Sequence, residues 1–293
     1  MNPFLEKMGY TADDRVLITH IDDVGFSHAA NVASFACLDT GAATCGSVIV
    51  NAPWFLEAAA IYRDNPVYDL GVHLTLTCEY DTYRWPALSS RDADTGLLDE
   101  QGYLWRTRED AIRHVKEEAA RGEMREQIER ALQAGIDITH IDTHMGSVVH
   151  PKFLAIYLSL AGEYKVPAFL PGITKERLAA MNESGMSEGL EMVLESIDRA
   201  AVPVLDEIII DTLNALTDKA QYYRDLIRSV QPGLTHLLFH PAKMGEELQA
   251  IVPATAASRN ADFTAFTDET LRDFIEKEGI KLIGYKDLQA AMN

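Results

Sequence analysis

The 293 residues carry 26 Lys and Arg against 45 Asp and Glu, a formal net charge of −19, and 47% of them are hydrophobic. Acid in such excess weighs against nucleic-acid and anionic-membrane partners, which draw their sequence-independent affinity from clustered Lys and Arg. Cys37, Cys45 and Cys78 show no CxxC spacing and no even count, so neither a disulfide framework nor a thiolate zinc site is expected. The opening MNPFLEKMGYTADDRV has no basic stretch leading into an apolar one, and no apolar run nears the ~20 residues that span a bilayer. A cytoplasmic location fits best.

Along the chain, short aliphatic or β-branched runs alternate with longer helical stretches, the rhythm of parallel strands joined by crossover helices. Strands are predicted over Arg15–Ile21, Ala43–Val50, Tyr68–Leu74, Asp137–Asp142, Val166–Phe169, Glu207–Ile210, Thr235–Phe239 and Lys281–Gly284. Helices are predicted over His28–Thr40, Phe55–Asn65, Arg108–Gln133, Lys152–Lys165, Leu190–Arg199, Lys219–Val230 and Asp268–Glu278, the last with Thr267 as N-cap. Seven or eight such strands suit a closed α/β barrel. With no repeat or linker-like composition shift, a single catalytic domain over 1–293 is expected. Two inserts break the rhythm: 79–106, rich in aromatics, Asp, Gly and Ser, reads as a lid or binding loop, and 241–262 reads similarly. The run Glu117, Glu118, Glu123, Glu126 and Glu129, interleaved with Lys116, Arg121, Arg125 and Arg130, reads as a solvated helix face with i,i+4 pairs.

In α/β barrels the C-terminal strand ends point to the face where loops assemble a site, and four such ends here carry acid or imidazole. The first strand, VLITHIDD, ends in Asp22 and Asp23 before Gly25; taken alone, they could simply cap the next helix. His73 lies in GVHLTL among apolar neighbours, where a hydrogen-bonded core histidine is the plainer reading. In ITHIDTHMG, His140, Asp142 and His144 alternate, so on a continuing strand they share one face, and three inward polar groups must all find partners. His240 closes THLLFHP, where a turn histidine beside Pro241 is equally reasonable. Together these groups suit a divalent-metal hydrolase in which two imidazoles and one carboxylate leave positions open for water and substrate. Serine-triad, cysteine-nucleophile, dinucleotide and P-loop chemistry lack their motifs.

In sequence order, the blocks DDVGFSHAANVA, LDTGAATCGSVIVNAPWFLEAA, GVHLTL, THIDTHMG, FHPAK and RNADFTAFTDETLRDFIEKEGIKLIGYKDL resemble the YdjC family, also called the ChbG/HpnK family of carbohydrate deacetylases, almost end to end. The resemblance implies a distorted (β/α) barrel of about seven parallel strands, similar to polysaccharide deacetylases, and one divalent metal used to remove N-acetyl groups from sugars. It implies Asp23, His73 and His144 as metal ligands, Asp22 as general base, His240 as the acid that protonates the departing amine, and Asp142 as the residue that orients its neighbours. His140 matches the same block and is taken as support behind the ligands. Two departures stand out. Gly146 occupies the position where members commonly carry another histidine, and His240-Pro241-Ala242 replaces the usual HPG.

The expected substrate is an acetylated small sugar, oligosaccharide or glycoconjugate. Zinc or magnesium is the expected metal, with manganese or cobalt also compatible. Tyr83, Trp85 and Trp105, with Tyr80 and Tyr103, would either stack on sugar faces or fill a small core beneath the insert. The other readings are a metal-containing carbohydrate-binding protein without turnover and a metal-dependent hydrolase of another bond, such as a phosphoester. Retained Asp22 and His240 speak against the first. The lack of a Lys or Arg cluster beside the ligand blocks, with the acidic balance, speaks against the second. An exposed apolar patch would permit a homodimer.

Overall fold

The computed structural model describes residues 1–172, 196–210, 213 and 218–292, so most of the helix predicted over Leu190–Arg199 lies outside the described residues. In chain order the elements are α1 (Pro3–Lys7), β1 (Arg15–Val24), α2 (His28–Thr40), β2 (Cys45–Val48), α3 (Phe55–Asp64), β3 (Leu70–Leu74), α4 (Arg108–His114), α5 (Glu117–Gln133), β4 (Ile141–Thr143), α6 (Pro151–Tyr164), β5 (Glu207–Ile209), α7 (Ala220–Ser229), β6 (Gly233–Phe239), α8 (Glu246–Ile251), α9 (Ala256–Phe266), α10 (Glu269–Lys277), β7 (Lys281–Leu282) and α11 (Tyr285–Met292).

Every strand pair is parallel, in the order β4-β3-β2-β1-β6-β5, with β7 on the N-terminal part of β1. The sheet curls on itself. Val166–Phe169, predicted as a strand, is a bridging segment: Ile141 N donates to Pro167 O (3.0 Å), Phe169 N to Ile141 O (2.8 Å) and Leu205 N to Leu170 O (2.9 Å), which carries the wall from β4 toward β5. The architecture is thus an α/β distorted barrel. Its central strands are buried along nearly their whole length, as strands covered on both faces must be. Helix α2 starts and stops on local signals, with Ser27 Oγ accepting from Ala30 N (3.0 Å) and Gly41 closing it in the left-handed conformation at φ 71°. The three cysteines are free and buried.

Four sequence expectations are corrected. The helix predicted over Arg108–Gln133 is two helices, because Val115 turns extended and buries its side chain while Lys116 N donates to Thr95 O at 3.1 Å. The insert at 241–262 is largely helical: α8 and α9 occupy it, and Phe266 at the end of α9 stacks on Phe239 of β6 with ring centroids 3.6 Å apart. The N-cap of α10 is Asp268, one residue beyond the expected Thr267, and its carboxylate accepts from Thr270 N at 2.9 Å. Finally, Glu123 does not belong to a solvated face. It is fully buried on α5 and accepts from Asn51 Nδ2, Gln127 Nε2, Leu88 N, Ser89 N and Ser89 Oγ at 2.7–3.1 Å. The 79–106 insert is thereby pinned to the barrel wall, with Trp85, Leu97 and Leu104 buried beneath it. Glu126 and Arg130 do form the expected i,i+4 pair, at 3.1 Å.

Because Glu123 satisfies so many buried donors, Glu123→Ala strands several at once. It is expected to lower stability by about 3 kcal/mol or more in urea unfolding. A loss under about 1 kcal/mol, the range of an exposed substitution, would mean that the insert is not held by this carboxylate.

Candidate active site

Adjacent strand residues normally face opposite sides of a sheet, yet Asp22 and Asp23 both reach the same imidazole. His73 Nε2 lies 3.8 Å from Asp22 Oδ2 and 3.6 Å from Asp23 Oδ1. The cause is a bulge: β1 pairs Ile21 with Gly46 and next Val24 with Val48, so β1 carries one extra residue there. Asp23 takes up the irregularity in the left-handed conformation, φ 65°, which is uncommon outside Gly and Asn/Asp. Gly25 completes the turn at φ 86°, where a Cβ would sit 3.2 Å from Phe55 Cα. Ser27 then caps α2, so neither aspartate serves as its cap.

The remaining strand ends converge on this point. His144, just past β4, has Nδ1 3.4 Å from Asp23 Oδ1. His73 on β3 presents Nδ1 to Asp142 Oδ1 at 2.9 Å, and Asp142 Oδ2 accepts from Ser47 Oγ at 2.7 Å. His240, after β6, has Nε2 3.7 Å from Asp22 Oδ2, and its backbone N donates to Asp262 Oδ2 at 3.2 Å. His140, Asp142 and His144 are all buried on the inner side, but β4 spans only Ile141–Thr143, so His144 is placed by the turn that follows and not by strand alternation. His140, however, meets the buried His20, Nε2 to Nε2 at 2.8 Å, so it does not back a proposed ligand directly.

Three residues of this site escaped sequence reasoning. His20 shares the parity of Asp22 on β1 and lies 2.7 Å from its Oδ1, so the same alternation that exposed His140 could have found it. Glu79, the first residue of the insert, has Oε2 2.9 Å from His144 Nε2. Arg259 of α9 binds Asp23 Oδ2 through Nη1 at 2.9 Å, across 236 residues of chain. No linear signal announces that contact.

Electrostatics follow from burial. Against the cost of burial, Arg259 and then His144 hold the Asp23 carboxyl well below the usual range. Burial alone would favour a neutral His144, but the Glu79 and Asp23 carboxylates raise it well above the ordinary imidazole value. His73 is raised in the same way by Asp142 and Asp22. His240 shifts the other way, because its burial outweighs the pull of Asp23 and Asp22.

Asp23, His73 and His144 could hold a cation, since one donor atom of each lies within 4.8 Å of the others. The donor set fits. Asp23 Oδ1 is buried with no hydrogen-bond partner, a costly state unless something else satisfies it. Four carboxylates, Asp22, Asp23, Asp142 and Glu79, meet one guanidinium, Arg259, which leaves negative charge for a cation to offset. Each candidate ligand imidazole also has a carboxylate on its other nitrogen, Asp142 for His73 and Glu79 for His144, as metal-bound histidines usually do.

The aromatic residues of the insert are mostly packing groups. Trp85 is 1% exposed within a cluster with Phe26, Tyr80 and Tyr83, its ring 6.2 Å from that of His144, so it walls the site and offers no open face to a sugar. Tyr83 donates its hydroxyl to Phe26 O at 2.6 Å, and Trp105 stacks on His114 at 4.3 Å.

Comparison with known proteins gives a consistent result. The family model described as YdjC-like protein matches residues 16–277. A carbohydrate deacetylase of Thermus thermophilus is 32% identical over 271 residues, covering 92% of each chain. One of Thermoanaerobacter pseudethanolicus is 25% identical over 275 residues, covering 94% of this chain and all of the other. Among solved structures, a candidate cellobiose-phosphate cleavage protein of Enterococcus faecalis superposes with a TM-score of 0.74 at 25% identity, over 94% of this chain and 99% of that one. With the family model matched over residues 16–277 and a relative 32% identical, the chain belongs to the YdjC-like protein family.

Proposed function

We propose that this protein is a metal-dependent carbohydrate deacetylase that hydrolyses the N-acetyl amide of a small sugar, oligosaccharide or glycoconjugate. The observation that carries the reading is the buried Asp23 Oδ1, which has no hydrogen-bond partner and faces His73 and His144 at 3.6 and 3.4 Å, with Asp22 and His240 3.7 Å apart beside them. The similarity to carbohydrate deacetylases supports it. When bound by Asp23, His73 and His144, a divalent cation supplies Lewis-acid polarisation of the acetyl carbonyl and lowers the pKa of the attacking water. Two nitrogens and one oxygen suit zinc, and magnesium, manganese or cobalt could occupy the same set.

The protein's own groups do the rest. Asp22 is the general base. Its Oδ2 faces His240 and His73, while Oδ1 is tied to His20, so one oxygen is held and the other is left to take a proton from water. Attack forms the new C–O bond, and collapse of the tetrahedral species breaks the C–N bond. His240 hands a proton to the departing nitrogen. Since burial keeps His240 neutral at rest, the proton it gives is the one taken up by Asp22, whose Oδ2 lies 3.7 Å from Nε2. Asp23 cannot double as the base, because Arg259 occupies its other oxygen.

Zinc-loaded protein is expected to release acetate from at least one member of a panel of N-acetylated mono- and oligosaccharides. Asp22→Asn should reduce kcat by about 10²- to 10⁴-fold with metal content unchanged, whereas His73→Ala should lower metal content itself. No acetate from any acetylated sugar would sink the reading.

Metal binding should also displace protons. In the metal-free site His144 is raised well above its ordinary value, so near neutral pH it holds a proton that a cation must expel. Titration calorimetry in buffers of different ionisation enthalpy should show about one proton or more released per zinc bound, since His73 is raised as well, with affinity falling as pH is lowered. Equal heats in all buffers would contradict the assignment of His144.

A further inference from the structure

Behind Asp22 lies a polar row that the metal centre does not use. His20 is fully buried on β1, with Nδ1 2.7 Å from Asp22 Oδ1 and Nε2 2.8 Å from His140 Nε2. His140 Nδ1 is 2.9 Å from Thr139 Oγ1, and that hydroxyl donates its proton to Asp69 Oδ1. Tyr285 stacks on His140 with ring centroids 4.0 Å apart, and its hydroxyl meets His236 Nδ1 at 3.2 Å. The row thus runs inward from the base, with His20 and His140 both sealed from solvent.

Proton counting fixes how His20 is used. An ionised carboxylate only accepts, so the proton between Asp22 and His20 belongs to His20 Nδ1 whenever Asp22 is ready to act as base. Burial first, and His20 second, hold His140 well below the ordinary imidazole value. The Thr139 hydroxyl donates its one proton to Asp69 and so can only accept from His140, which leaves His140 Nε2 as an acceptor facing His20.

We infer that His20 is a positioning residue for the catalytic base: its Nδ1–H fixes one oxygen of Asp22 and turns the other toward the reacting water, with His140 seating its Nε2. The inference rests on the deacetylase reading for its consequence in turnover and on the geometry alone for the proton at Nδ1.

Two substitutions separate positioning from packing. The side-chain nitrogen of Asn lies where imidazole Nδ1 lies, so His20→Asn keeps the donor to Asp22 and loses the link to His140. In His20→Gln the amide reaches the Nε2 position, so the link is kept and the donor lost. His20→Asn should retain kcat within about fivefold, whereas His20→Gln should lose about 100-fold in kcat, with KM within about twofold and zinc content unchanged in both. Independently of turnover, 15N-imidazole NMR of the zinc-loaded, unsubstituted protein near neutral pH should show His20 protonated at Nδ1. Equal kcat for the two variants, or a bare Nδ1 on His20, overturns the inference. Failure of the deacetylase reading looks different: the unsubstituted protein itself releases no acetate.

Discussion

The site depends on one irregularity of one strand. Without the extra residue in β1, pleating would send Asp22 and Asp23 to opposite sides of the sheet, and only one could reach His73. The bulge and the left-handed Asp23 bring both carboxylates to one imidazole, and each then needs a separate source of compensation. Asp23 finds Arg259, whereas Asp22 finds His20 and, more distantly, His240. A residue held in this backbone region costs on the order of 1–3 kcal/mol and persists only where its surroundings impose it. Here the parallel pairing of β1 with β6 from Arg15 to Ile21, and with β2 on the other side, imposes it.

Below the carboxylates the barrel interior is unusually polar. His20, His140 and His236 pack against one another and against Tyr285, where a barrel of this kind more often holds branched aliphatic side chains. Burial pushes His140 and His236 well below the ordinary imidazole value. His140 and His236 therefore contribute directed hydrogen bonds instead of further charge, and the carboxylates gather at the strand ends, where Asp22, Asp23 and Asp142 lie, and at Glu79 on the insert beside them. Neutral imidazoles are suited to this position, since each can accept at one nitrogen and donate at the other.

Much of this was legible in the sequence, and what was missed has a physical pattern. Strand periodicity located Asp22, Asp23, His73, Asp142 and His144 because their partners lie on neighbouring strand ends, and parallel strands bring those ends together. His240 was found for the same reason. Glu79 and Arg259 were missed because an insert and a late helix supply them, so their relevance exists only after folding. Glu123 was misread outright. Its helix is strongly charged on average, and nothing in an i,i+4 pattern distinguishes a solvated carboxylate from one that gathers the donors of a packed loop. The break between α4 and α5 was hidden likewise, since no Pro or Gly marks it and burial of Val115 decides it.

The departure at Gly146 has a backbone explanation. Met145 and Gly146 are successive left-handed residues, at φ 54° and φ 66°, and form the turn that leaves β4. That turn carries His144, whose Nδ1 faces Asp23 while Nε2 faces Glu79. Space does not require glycine, because an added Cβ would meet only Arg108 Nη1, at 3.8 Å. Conformation does favour it: each non-glycine residue in this region costs roughly 1–2 kcal/mol, and Met145 already bears that cost once. A histidine at position 146 would have to bear it again to add an imidazole beside a site whose two candidate ligand imidazoles already have carboxylate partners. In this chain the geometry of His144 is kept by the turn, and the place of the missing imidazole is left open toward Arg108.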